Sequence, residues 1–132
     1  MAEKKIFNPA TLAPPVGHFD RGVQIGPYLY VAGTSALTHV PGGVMERKLS
    51  PSIEEQTRQT LENIAKVIAD AGLRMSDIFK ITVFLVRPED FETVDSIIAE
   101  FLPEKGFINS TFVTALVNPE MLIEIEATAY AG

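Results

Sequence analysis

The stretch "FINSTFVTALVNPEMLIEIEATA", Phe107–Ala129, decides the architecture. Its last third, Ile123-Glu124-Ile125-Glu126-Ala127-Thr128, alternates apolar and polar residues at a period of two, the pattern of a strand with one buried face. Glu124 and Glu126 project from the opposite side, two positions apart. Ahead of it, Ser110–Leu116 reads as another strand, and Asn118-Pro119 supplies a turn between the two.

Working outward, Lys80–Val86 ("KITVFLV") is nearly continuously apolar and rich in β-branched residues, which predicts a central strand covered on both faces. Two amphipathic segments flank it. In the first, Ile53, Thr57, Leu61, Ile64 and Ile68 recur at helical spacing. Its start is capped by Ser50 with Pro51, or by Ser52 with Glu55, and Gly72 ends it. The second begins near Pro88; Phe91, Val94, Ile98 and Phe101 form its stripe, and Pro103 and Gly106 close it.

Near the N-terminus, Pro9, Pro14 and Pro15 predict an extended, irregular segment. Val23, Ile25, Leu29 and Val31 then alternate around Gly26-Pro27 as a β-hairpin, and Thr34–Leu49 reads as a loop with a Pro-Gly-Gly turn. The expected order is β-β-α-β-α-β-β. It forms one α+β domain over residues 1–132, a mixed β-sheet with two helices on one face. The other sheet face, carrying Val113 and Ala115 or their alternates Phe112 and Thr114, then calls for cover, most economically by self-association.

Composition narrows the function. The 132 residues are 46% apolar and 21% charged, ordinary for one globular domain. The chain has no cysteine, which removes thiolate ligands and nucleophiles, and two histidines, His18 and His39, are too dispersed for a zinc site. A net charge of −6 argues against general nucleic-acid binding. Without a membrane span or a signal-peptide pattern, a cytoplasmic location is expected.

Four stretches together carry a resemblance: "PPVGHFDRGVQIGPYLYVAG", "EEQTRQTLENIAKVIADAG", "DIFKITVFLVRPEDFETVD" and "NSTFVTALVNPEMLIEIEATA". In this order they resemble the RidA (YjgF/YER057c/UK114) family of reactive-intermediate deaminases over roughly residues 13 to 129. The resemblance implies a chorismate-mutase-like fold, a homotrimer with clefts between subunits, and cofactor-free hydrolysis of small enamines or imines to keto compounds and ammonia. It points to Glu124 as the catalytic acid/base, with water as nucleophile and no metal. A carboxyl group can serve those proton transfers if a partly buried, apolar setting raises its pKa.

By the same resemblance, Asn109 stands where the family carries a carboxylate-binding arginine, just before Ser110 and Thr111. An amide lacks the charge and planar fork of a guanidinium. Phe19 occupies the place of a cleft tyrosine, Asp20 is a new acid beside it, and Asp95 falls where many members have asparagine. With the backbone around Gly33, these residues are the expected substrate contacts: Asn109, Phe19, Asp20, Gly33, Thr111 and Asp95. Substrate specificity is expected to be altered, with Arg21 or Arg58 as candidates for the missing charge and His18 as a candidate proton shuttle. Two alternatives stay open: a non-catalytic small-molecule-binding or chaperone-like trimer, and, more weakly, the family's ribonuclease-labelled branch.

Overall fold

A computed structural model of the chain describes residues 3–43, 45 and 47–132. The strands are β1 (Lys4–Phe7), β2 (Gly22–Ile25), β3 (Tyr28–Thr34), β4 (Ile78–Leu85), β5 (Ile108–Val113) and β6 (Ile123–Tyr130); the helices are α1 (Ile53–Asp70) and α2 (Phe91–Phe101). All six strands lie in one sheet in the order β1-β2-β3-β6-β4-β5. The α+β class with a mixed sheet holds, with β4–β5 parallel and the other neighbours antiparallel.

The alternation read at Ile123–Thr128 is realised in full. Ile123, Ile125, Ala127 and Ala129 are buried under the helices with Leu29, Val31, Ile81, Val83 and Leu85. Both helices pack on this face, where Leu61, Ile64, Val67 and Ile68 of α1 and Val94, Ile97 and Ile98 of α2 complete the core. Ser52, rather than Ser50, caps α1 by accepting a hydrogen bond from the Glu55 N–H. Gly72 adopts φ +77° just past the helix, a conformation that costs glycine little.

Three local expectations are corrected. The segment before Pro9 is not wholly irregular, because Lys4–Phe7 pairs with β2 as a short edge strand. β5 and β6 are not a hairpin: α2 carries the chain across so that β5 lies parallel to β4 at the sheet edge, while β6 inserts between β3 and β4. β4 is covered by helices on one face only, for Lys80 and Phe84 on its other face remain accessible. Within the expected loop, Ser35 starts a short 3-10 turn over Ala36–His39, and Val44 and Glu46 lie outside the described residues.

The second sheet face is open and partly apolar. Phe84 stacks on Phe112, and Tyr28 gathers Tyr30, Phe79 and Tyr130 around itself. Ile108 and Phe112 each expose more than half of their surface. No helix among the described residues is long and apolar enough to cross a membrane.

Candidate active-site cleft

β6 carries Glu124 on the open side of the sheet, paired across the ladder with Phe84. On its other flank, the register of β3 shifts between Val31 and Thr34. Such an irregularity re-aims the local backbone, and here it brings Gly33 against the Glu124 carboxyl. A Cβ added at Gly33 would stand 2.9 Å from Glu124 Oε2 and 3.1 Å from its Cδ. The missing side chain is therefore the space in which the carboxyl sits.

Glu124 opens into a cleft of about 490 Å³. Val16, Phe19, Leu37, Val117 and Met121 give it a largely apolar wall, and Arg21 and Arg47 line it as well. Burial pushes the Glu124 carboxyl above the usual carboxylate range, and the neighbouring Glu126 charge adds to the rise. A carboxyl so placed is easier to keep protonated and holds a transferred proton more firmly than one in water.

The wall is built by local capping and long-range tethers. Ser35 Oγ accepts from the Leu37 N–H, and Thr38 Oγ1 accepts from the Ser35 N–H, which fixes the turn carrying Leu37. Asn63 of α1 anchors the same turn by donating to the Ser35 carbonyl. Buried Gln56 donates to the Ser50 and Glu120 carbonyls and accepts from the Leu122 N–H, holding the segment that presents Met121.

Of the sequence-derived candidates, Glu124, Phe19 and Gly33 meet in this cleft. Asp20 accepts from Asn8 Nδ2 at 2.9 Å and lines a neighbouring groove with Tyr30, Lys80 and Glu126. His18 sits on an exposed loop with Asn8 and Asp20. Asn109 lies on edge strand β5 opposite Ile81, on the helix-facing side, whereas Glu124 faces the other way. Thr111 donates to Asn109 Oδ1 at 3.2 Å, and Asp95 is exposed on α2. One chain therefore does not bring Asn109, Thr111 or Asp95 to Glu124.

The charge question separates the two candidate arginines. Arg58 is engaged bidentately by Glu100, with both contacts at 3.0 Å, tying α1 to α2 in the helix layer. Arg21 instead reaches the cleft wall. Arg47 reaches it too and was not a sequence candidate, because nothing in its local pattern distinguishes it from a solvated loop cation.

The profile of the endoribonuclease L-PSP family matches residues 10–131. The chain belongs to this family, known also as RidA/YjgF. Among its RidA-family relatives, a 2-iminobutanoate/2-iminopropanoate deaminase of Salmonella typhimurium is 32% identical over 120 residues, covering 86% of this chain and 88% of that protein. The crystal structure of the Rid-family protein YyfA from Yersinia pestis superposes with a TM-score of 0.86 at 25% identity, covering 97% of this chain and 99% of that one. Escherichia coli TdcF with bound serine gives 0.81 at 26% identity, covering 96% and 98%.

Proposed function

We propose that the protein hydrolyses a small imine or enamine to a carbonyl compound and ammonia, with Glu124 as the proton-transfer group. The observation that carries this reading is the Glu124 carboxyl itself: half-buried, seated against Gly33, with burial raising its proton affinity inside an apolar cleft. The relative named as an imino-acid deaminase supports the reaction class.

The steps balance without an oxidant. The imine nitrogen enters protonated, so its carbon is electrophilic. As water attacks, a new C–O bond forms and Glu124 takes a proton from the attacking oxygen. Glu124 then returns that proton to nitrogen. The C–N bond breaks as the hydroxyl gives its proton to the Glu124 carboxylate, the carbonyl forms and the nitrogen leaves as ammonia, and Glu124 then releases that proton to solvent. Water and substrate are consumed, and one carboxyl serves as base and then acid.

Self-association belongs to the same proposal. The open sheet face exposes Ile108 and Phe112, which a second and third copy would cover. Asn109 and Thr111 would reach a Glu124 cleft only from a neighbouring copy. In its finer form the proposal is a trimer in which Asn109 of a neighbouring copy alters the substrate range.

Ammonia and keto acid release from freshly generated 2-imino acids tests the reading. Wild type accelerates release, and Glu124→Gln loses about 10²–10⁴-fold, the usual contribution of one acid/base group. Equal release by both proteins would leave a binding role in its place.

A further inference from the structure

Arg21 and Arg47 are both more than nine-tenths buried, at 5% and 4% exposure, and both line the Glu124 cleft. Neither has a carboxylate partner within ion-pair distance among the described residues. Burial of a guanidinium without a counter-charge is costly. The burial depresses the proton affinity of both, and for Arg21 the Arg47 charge depresses it further, so the two cations also repel each other.

Their hydrogen bonds leave one end of each fork free. Arg21 donates from Nε and Nη2 to the Ala13 carbonyl and from Nη2 to the Pro14 carbonyl, with the shortest contact 2.6 Å. Arg47 donates from Nε to the Gly42 carbonyl at 2.8 Å and from Nη1 to the Leu37 carbonyl at 2.9 Å. Arg21 Nη1 and Arg47 Nη2 have no protein acceptor among the described residues. No side-chain nitrogen sealed from solvent there lacks a partner, so these two ends open onto accessible space.

We infer that Arg21 and Arg47 form a two-guanidinium clamp for the carboxylate of the substrate, built into the wall of the Glu124 cleft. This rests on the imine-hydrolysis reading and names the residues of this chain that would hold a carboxylate-bearing substrate there. The carboxylate binds the free fork ends, the imine carbon faces Glu124, and the side chain lies along Phe19, Val117 and Met121. Backbone carbonyls hold the opposite edges of both forks, so little side-chain entropy remains to be lost on binding. The clamp needs no cation from β5, which accounts for a neutral Asn109 there.

The test is binding rather than turnover, so it does not depend on the hydrolytic reading. 2-Oxobutanoate and its neutral counterpart 2-butanone are titrated into the ¹⁵N-labelled protein, followed by amide shifts. Wild type should bind the anion at least ~10-fold more tightly than the ketone, since a charge-assisted contact is worth that much. The shifts should fall at Gly33, Leu37 and Thr38. Arg47→Gln and Arg21→Lys should each weaken anion binding ~10-fold or more.

Equal affinity for anion and ketone, or shifts confined to Asn109–Thr111, would overturn the clamp. So would unchanged binding in a folded Arg47→Gln. If either arginine variant does not fold, the wild-type shift map decides alone. Arginine-dependent binding with no ammonia release supports the clamp and sinks the hydrolase. Ammonia release that is untouched by both arginine variants does the reverse.

Discussion

Gly33→Ala probes the seat of the Glu124 carboxyl without touching the carboxyl. The added Cβ would stand 2.9 Å from Oε2 and 3.1 Å from Cδ, where comfortable contact begins near ~3.5 Å. The carboxyl must therefore withdraw by roughly half an ångström, about the tolerance of a preorganised catalytic group. A displacement on the order of 1 Å costs ~100-fold, so kcat/KM should fall about 10- to 100-fold. Stability should fall by about 0–2.5 kcal/mol. Gly33 does not occupy a positive φ, so alanine fits the backbone and gains about 0.5–1 kcal/mol in a strand, against about 1–3 kcal/mol of crowding. Keto acid formation and a thermal melt, run together, give both numbers. A variant that melts like wild type and turns over within twofold of it would show that the position of Glu124 does not matter, and the mechanism would be wrong.

Three further outcomes follow from the same geometry. The Glu124 pKa is raised on folding, so this residue favours the folded state when protonated, and that contribution is lost as pH rises from the unfolded value near ~4.3 through the raised folded value. Glu124→Gln should thus be more stable than wild type at neutral pH, with the gap closing at pH ~4 in urea titrations; a constant gap would contradict the burial argument. Gln56→Ala strips partners from the Ser50 and Glu120 carbonyls and the Leu122 N–H, and should cost about 2–4 kcal/mol in urea unfolding. Phe112→Glu places a charge on the open sheet face beside Phe84; sedimentation should show a smaller species than wild type, whereas an unchanged mass would remove that face from the interface.

What could be read from the chain follows the range of the forces involved. The α1 stripe and the Ile123–Ala129 alternation are local periodicities imposed by one buried face, and both appear in the structure as read. The position of β6 between β3 and β4 is a long-range pairing, invisible to a period of two, and the Asn118-Pro119 turn invited a hairpin that does not form. Lys4–Phe7 has two lysines and no buried residue, so its strand depends on the partner β2 rather than on its own pattern. In the site, Glu124 and Gly33 were legible through their motif and their place at a strand end. Arg47 was not, because its place in the wall depends on hydrogen bonds to the Gly42 and Leu37 carbonyls and on Asn118, 71 positions away, donating to its own carbonyl, none of which has a local sequence pattern.

The proton transfers rest on a carboxyl with burial-raised proton affinity. The most direct test is to titrate the Glu124 carboxyl by ¹³C NMR and compare its midpoint with that of kcat/KM against pH, which reports groups of the free enzyme. The midpoint should lie above the ordinary ~4.3 of glutamate and coincide with an inflection in the rate profile that disappears in Glu124→Gln. An ordinary midpoint, or a rate profile indifferent to Glu124, would contradict it.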